Sequence, residues 1–182
     1  FDKGVYLLRQ GLSHTTGCQS NANERYELLF NLGIALAQTN PKASVAAYRE
    51  ALSIPMDHRA SLGALLNLAA LLMAQGDLDE AIASCTMATQ RAPEVALGWF
   101  NLGLMHRRNG SLSKALDSYL HALELNPDNP DVHQNYALVR LLQGNINQAR
   151  ESFRKAISLL EGQGLLEGAN ELRQKIRGIV KL

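Results

Sequence analysis

Apolar residues recur along most of this chain at spacings of three and four positions, which is the spacing of one face of an α-helix. In residues 96–129 the pattern predicts two short helices joined by a turn. Their apolar faces comprise Trp99, Leu102, Gly103 and His106 in the first helix and Ala115, Tyr119 and Ala122 in the second. The first helix ends at Gly110, since glycine takes the left-handed conformation at low steric cost. The second ends at Pro127, because proline cannot continue the hydrogen-bond ladder.

This helix–turn–helix unit repeats with a period of 34 residues. Residues of one type return at that interval: Asn67, Asn101 and Asn135; Gly76, Gly110 and Gly144; Ala81, Ala115 and Ala149; Ala88, Ala122 and Ala156; Pro93 and Pro127. The period and these residues resemble the tetratricopeptide repeat, in which small side chains let two helices approach closely. The resemblance covers nearly the whole chain. It implies an all-α fold, a right-handed α-solenoid of stacked helix–turn–helix repeats.

We predict one solenoid over residues 1–182, organised into full repeats and two end helices. The full repeats are expected at 26–58, 62–95, 96–129 and 130–163, with the second helix of a truncated repeat at 1–14 and a capping helix at 165–181. The capping helix is amphipathic, as the exposed last layer of a repeat stack requires. Glu161 stands where earlier repeats have proline, so the helix before the cap is expected to run on to Gly162.

The first full repeat departs from the pattern. Asn40 and Pro41 replace the glycine turn, and the step from Asn31 to Asn67 is 36 residues instead of 34. The additional residues predict that the next helix starts early, near Asp57.

The start of the chain aligns with the second half of a repeat. Residues 1–12 match residues 112–123, with Gly4 and Gly11 in the positions of alanines. We therefore expect a piece of a longer protein, in which Phe1, Val5 and Leu8 lack a covering helix. Because exposed apolar patches tend to find partners, this helix is a candidate surface for a homodimer.

Composition narrows the class of partner. The chain has 182 residues, 46% of them hydrophobic, which suffices for a continuous core. Lys and Arg number 18 against 17 Asp and Glu, a net charge of +1, so there is no electrostatic case for nucleic acid or a membrane surface. The longest apolar stretch, 64–74, is too short to span a bilayer. We expect a cytoplasmic protein with no membrane insertion.

No group of residues in the sequence forms a recognisable catalytic, cofactor-binding or metal-binding motif. The five histidines are scattered. We interpret His106 as a core or boundary residue with one hydrogen-bond partner and Cys85 as a small buried filler. Cys18 lies in a predicted loop and is either reactive or inert. These features favour a non-catalytic protein that needs no cofactor.

A second stripe on the first helix of each repeat is the candidate site. An asparagine occupies the same position four times, at Asn31, Asn67, Asn101 and Asn135. The flanking positions hold Phe30, Ile34, Leu66, Phe100, Leu104, Arg108 and Leu138. In tetratricopeptide arrays the first helices line the concave side, so the resemblance implies that these residues line a peptide-binding groove.

An amide side chain offers a donor and an acceptor together, so it can pair with both backbone groups of an extended peptide. Such a row is similar to the asparagine ladder in the tetratricopeptide domain of the O-linked N-acetylglucosamine transferases, where it holds the substrate backbone. The alternative is that these asparagines bond to neighbouring helices of their own chain. Both can hold for different residues.

The residues of the predicted groove do not match one known mode of peptide recognition. The carboxylate clamp that grips chaperone C-termini needs lysine and asparagine where this chain has Phe30 and Ile34, and lysine and arginine where it has Leu97 and Asn101. A free terminal carboxylate is therefore not expected as ligand. Arg107 and Arg108, with Arg140 of the next repeat nearby, either favour an acidic ligand residue or form a solvated rim.

Three functions fit the sequence. The first is a protein–protein interaction scaffold that holds an extended peptide or a helix of a partner in the groove. The second is the substrate-recognition arm of a larger enzyme such as a glycosyltransferase. The third is a self-associating assembly scaffold.

Overall fold

A computed structural model describes residues 2–15, 22–55 and 61–178, and within them it contains ten α-helices and no strand. The helices are α1 (Asp2–Thr15), α2 (Ala22–Leu36), α3 (Pro41–Ser53), α4 (Leu62–Gln75), α5 (Leu78–Arg91), α6 (Ala96–Arg108), α7 (Leu112–Leu125), α8 (Pro130–Leu142), α9 (Ile146–Gly162) and α10 (Leu166–Ile176). We call α2, α4, α6 and α8 the A helices and α3, α5, α7 and α9 the B helices.

The chain forms two compact units, Phe1–Ala92 and Pro93–Leu182. In the first unit α2 pairs with α3 and α4 with α5, while α1 packs on α2 and α3 on α4. In the second unit α6 pairs with α7 and α8 with α9, while α7 packs on α8 and α9 on α10. Each unit is therefore a stack of helix pairs, and the predicted all-α solenoid fold is confirmed.

Glycine makes the turn between the helices of most repeats. Positive φ angles, which L side chains rarely adopt, occur at Gly76, Gly110, Gly144 and Gly164. At Gly76, for example, φ is 92°, and the next residue, Asp77, donates its backbone N–H back to the carbonyl of Leu72 at 2.9 Å. This closing bond satisfies a carbonyl that the helix end would otherwise leave unpaired.

The first full repeat turns without glycine. The Asn40 side chain accepts a hydrogen bond from the backbone N–H of Ala43 at 3.1 Å, and Pro41 occupies the first turn of α3. An N-cap amide oxygen satisfies one unpaired helix donor, and proline at this position loses no hydrogen bond. The Asn-Pro pair therefore starts α3 directly after a short turn.

Glycine also allows the two helices of a repeat to meet. A Cβ placed on Gly33 would lie 2.6 Å from the ring of Tyr48, and one on Gly103 would lie 2.4 Å from the ring of Tyr119. Both distances are too short for real atoms, so α2 and α6 need glycine where the tyrosine rings of α3 and α7 pack.

Some expected boundaries differ from the observed ones. The helix α2 begins at Ala22, four residues before the expected repeat start. The helix α4 begins at Leu62, the first residue of the expected second repeat, with Ser61 as its N-cap. The capping helix α10 is shorter than expected and ends at Ile176. The helix α9 does run to Gly162, as Glu161 predicted. The expected start at Asp57, the loop cysteine Cys18 and the first residue Phe1 lie outside the described residues.

Candidate functional site

Two neighbouring cavities lie along the A-helix side of the first unit. One has a volume of about 460 Å³ and is lined by Gly4, Val5, Leu8, Asn31, Ile34 and Ala35. The other has a volume of about 300 Å³ and is lined by Ile34, Ala37, Tyr48, Asn67, Ala70 and Leu71. Ile34 borders both, and 49% of its surface is exposed. The first unit thus presents Asn31 and Asn67 in adjacent cavities, on either side of an exposed isoleucine.

The amide of Asn67 is already used in part. Its Nδ2 donates a hydrogen bond to the hydroxyl of Tyr48 on α3, at 3.2 Å. Burial raises the pKa of Tyr48 above its usual value of 10.0, and the bond from Asn67 opposes this only in part. Because an amide nitrogen carries two hydrogens, Asn67 keeps one N–H and its Oδ1 for another partner. Asn31 is exposed at the neighbouring cavity.

In the second unit the corresponding asparagines bond to their own helices. Asn101 Nδ2 donates to the carbonyl of Leu97 at 3.1 Å, and Asn135 Nδ2 donates to the carbonyl of Asp131 at 2.9 Å. Of these three asparagines, Asn67 bonds to a neighbouring helix, as the alternative expected, whereas Asn101 and Asn135 bond within their own helices. Each bond occupies one donor. A second N–H and the Oδ1 oxygen of each amide are left for other contacts.

The flanking side chains divide into packed and exposed groups. The Phe30 ring stacks on Tyr26 at 6.1 Å and meets Tyr48 edge-on at 5.9 Å, while the Phe100 ring lies 6.1 Å from Tyr119. The Phe30 and Phe100 rings fill space between helices and are only half-buried. The half-buried side chains also include Leu66, Leu104 and Leu138, and the exposed ones include Ile34 and Arg108.

The paired helices and the glycine turns are accompanied by a match to known sequence families. Two family models, both described as Tetratricopeptide repeat, match this chain, one at residues 34–96 and 66–130 and the other at residues 118–151. The chain belongs to the tetratricopeptide repeat family.

Three curated relatives are similar over part of their length. A TPR repeat-containing protein of Synechococcus elongatus is 34% identical over 157 residues, covering 85% of this chain and 39% of that protein. The Photosystem I assembly protein Ycf3 of Sorghum bicolor is 35% identical over 88 residues, 41% of this chain and 51% of that protein. A protein O-mannosyl-transferase of Homo sapiens is 30% identical over 141 residues, 77% of this chain and 15% of that protein. The chain therefore spans about half or less of the length of these relatives.

A solved structure also has a fold similar to that of this chain. The crystal structure of MamA superposes with a TM-score of 0.74 at 19% sequence identity, covering 86% of this chain and 88% of that chain. At this identity the likeness concerns the fold alone.

Sequence reasoning assigned the tyrosine of the tetratricopeptide B helix to the core and missed its second role. Tyr48 has 1% of its surface exposed, yet it lines the smaller cavity and its hydroxyl accepts from Asn67. The signal was the residue type, since later repeats place Cys85 and Phe153, which lack a hydroxyl, in this position. Only the structure shows which residue the hydroxyl reaches.

Two expectations for titratable side chains have different outcomes. Cys85 has no exposed surface, and burial raises the pKa of its thiol to about 12, so it is the inert filler that was predicted. For His106 the Nδ1 atom is buried without a hydrogen-bond partner, so the expected single partner is not found at that nitrogen. Burial, followed by the charge of Lys114, lowers the pKa of His106 below its ordinary value of 6.5.

Within residues 2–15, 22–55 and 61–178, no three His, Cys, Asp or Glu side chains are grouped so that they could hold a metal ion. No helix in those ranges has the length and apolar character needed to cross a membrane.

Proposed function

We propose that this tetratricopeptide repeat chain binds an extended segment of a partner protein along its A helices, without catalysis. The observation that carries the proposal is the pair of cavities in the first unit, with Asn31 and Asn67 on either side of Ile34. Side chains of an extended peptide alternate between two faces, so one face can fill successive cavities while the backbone passes over Ile34.

The asparagines suit a ligand whose backbone is recognised. A free Oδ1 and one free N–H can pair with a peptide N–H and a peptide C=O, whatever side chains the ligand carries. The amide of Asn67 is held in place by Tyr48, so it loses little freedom when a ligand binds. In the second unit Asn101 and Asn135 would contribute in the same way, next to Leu104, Leu138 and Arg108.

A random peptide library displayed on phage provides the probe for this proposal. A selected peptide, labelled and measured by fluorescence anisotropy, is expected to bind the double variant Asn67→Ala, Asn101→Ala more weakly by roughly 1–3 kcal/mol, the cost of unmade hydrogen bonds. Asn147→Ala is the matched control, since Asn147 is an exposed asparagine on the B helix α9. An unchanged Kd in a folded double variant would contradict the ladder.

A second candidate function is suggested by a relative. The human protein is named a protein O-mannosyl-transferase, and this chain corresponds to 15% of its length. Repeats of this kind can serve as the substrate-recognition arm of a larger enzyme. The sequence that flanks this stretch in its gene decides the matter, since an adjoining transferase domain supports the arm and its absence rejects it.

Self-association is a third candidate, although its expected surface is different, since Val5 and Leu8 are half-buried and pack against the apolar cluster of α2 and α3. Two other apolar side chains on α1 are exposed. Tyr6 has 59% and Leu7 has 55% of its surface exposed. Light scattering over a dilution series is expected to show a concentration-dependent mass that the variant Tyr6→Ser, Leu7→Ser abolishes. A constant monomer mass in the unaltered chain rejects this function.

A further inference from the structure

One position of the smaller cavity has a different residue type in the second unit. The six positions that line the cavity in the first unit correspond, through the repeat, to Leu104, Arg107, Tyr119, Asn135, Leu138 and Val139. Of these, Leu104, Tyr119 and Val139 share one apolar cluster in the second unit. Arg107 stands where the first unit has Ala37. We call the six residues the Arg107 site.

Two polar atoms in the Arg107 site are buried without a partner. Tyr119 has no exposed surface, and neither its hydroxyl nor the Nε of Arg107 has a hydrogen-bond partner. Burial raises the pKa of Tyr119, so the hydroxyl keeps its proton and remains a donor. The Arg107 guanidinium opposes this rise in part, through a weak side-chain hydrogen bond to the hydroxyl and through its charge. That contact does not reach the geometry of a full hydrogen bond, so it leaves the hydroxyl without a well-formed partner.

The equivalent hydroxyl in the first unit is satisfied. Tyr48 accepts from Asn67, whereas Asn135, the counterpart of Asn67, donates to the carbonyl of Asp131 on its own helix. The Arg107 site therefore lacks the acceptor that its donors need. Buried donors of this kind are rare in folded proteins because leaving them unpaired is costly.

The positive charge is also uncompensated. Elsewhere in the described residues, Arg25 pairs with Glu50 at 2.8 Å and Arg49 pairs with Glu80 at 2.7 Å. Across residues 2–15, 22–55 and 61–178, no carboxylate lies within ion-pair distance of Arg107. A charged donor with no acid of its own chain nearby favours an acid from another molecule.

We infer that the Arg107 site binds the side-chain carboxylate of an aspartate or glutamate in a partner segment, with the Arg107 guanidinium and the Tyr119 hydroxyl as donors. The incoming carboxylate lies between these two donors and accepts from both. The neutral cavity of the first unit, with Ala37 in this position, accepts uncharged side chains instead. This inference rests on the proposed peptide-binding function and names one residue class of the ligand.

The test uses a positional-scanning library of fluorescent peptides with amidated C-termini, so that only side chains carry carboxylates. Pools with Asp or Glu at one position are expected to bind the unaltered chain about tenfold more tightly than pools with Asn or Gln there, as charge-assisted hydrogen bonds require. Raising the salt from about 50 mM to about 500 mM should reduce that preference.

Variants assign the preference to the Arg107 site. Arg107→Ala, which installs the residue of the first unit, is expected to abolish the acidic preference, and Tyr119→Phe is expected to reduce it. Arg154→Ala is the matched control, because Arg154 is an exposed arginine on the B helix α9 that also lacks a carboxylate within ion-pair distance in the described residues. It removes the same charge and should leave most of the preference. Circular dichroism establishes that each variant is folded.

The possible results distinguish a failure of this inference from a failure of the proposed peptide-binding function. Pools that bind with no preference for acids, or a preference that survives in Arg107→Ala, overturn the carboxylate site and leave peptide binding intact. A preference lost equally in Arg107→Ala and Arg154→Ala overturns the specific site in favour of general surface charge. If no pool binds the unaltered chain, both the proposed function and the inference are rejected.

Discussion

Asn67 on α4 donates a hydrogen bond to the hydroxyl of Tyr48 on α3, which links two successive repeats of the first unit beside a cavity. One amide thus contributes to the packing between repeats and still has groups to offer a ligand. Stability and binding can be separated by removing either partner.

Tyr48→Phe is expected to destabilise the chain by about 1 kcal/mol, because it removes one partly buried hydrogen bond and keeps the ring. Affinity for a selected peptide should persist, since the Asn67 amide remains. Urea denaturation and anisotropy measure the two effects. Tyr6→Phe is the control, because the Tyr6 hydroxyl accepts only from the exposed Gln10 side chain at 2.7 Å. Loss of binding in Tyr48→Phe would mean that the hydroxyl itself contacts the ligand.

Gly103→Ala is expected to cost roughly 1–3 kcal/mol, because the added methyl group overlaps the Tyr119 ring and forces the helices apart. Urea denaturation of the folded variant gives the difference. Gly168→Ala provides the contrast on α10, where the nearest atom to a new Cβ is a Leu160 methyl carbon at 3.9 Å. There the better helix propensity of alanine should stabilise by about 0.5–1 kcal/mol. Equal effects at both glycines would contradict the close approach.

The lowered pKa of His106 predicts that the folded chain loses stability in mild acid. Its pKa in the folded chain is lowered by burial and then by Lys114, so the unfolded chain binds the proton more readily. The contribution is complete above the unfolded pKa of about 6.5 and is lost as the pH falls from there through the folded pKa. Melting temperatures of the unaltered chain at about pH 7.5 and about pH 5 should therefore diverge.

The variant His106→Leu places the residue of the first two repeats, Leu36 and Leu72, in this position. It should show a smaller difference in melting temperature between the two pH values. A substitution at the exposed His14, such as His14→Asn, retains His106 and should keep the full difference. An undiminished difference in His106→Leu would assign the acid sensitivity to other groups.

Cys85 is expected to be unreactive in the folded chain, since its thiol is buried and its pKa is raised to about 12. In the variant Cys18→Ser, a thiol reagent such as Ellman's should react with Cys85 only after urea is added. The reaction of a small exposed cysteine peptide sets the reference rate. Rapid reaction without urea would show that α5 opens readily around the thiol.

The helix positions were predictable because their signals act within a single repeat. The spacing of apolar residues, Gly110 in the turn and the start at Pro130 place α6, α7 and α8 close to where the sequence predicted them. The first repeat was less predictable, since α2 begins at Ala22 and its turn uses the side chain of Asn40. A turn built by a side-chain cap carries a weaker signal than a glycine with positive φ.

The candidate site was only partly accessible from sequence. Asn67, Asn101 and Asn135 occupy one position of the repeat, yet Asn67 bonds to Tyr48 while the other two bond to their own helices. The acceptor that each amide reaches depends on its side-chain torsions and on what the preceding helix presents. The sequence places the asparagines on a common face and leaves that choice open.

By itself, the amino-acid sequence determined the period of the repeat, the ends of most helices and the family, because these follow from local steric preferences that recur along the chain. The tertiary structure alone decided that the Tyr48 ring takes the space above Gly33, that the Asn67 amide meets a hydroxyl, and that Arg107 lies beside Tyr119. Those relationships depend on distances between helices that are separate in sequence. No periodic pattern within one helix specifies such distances.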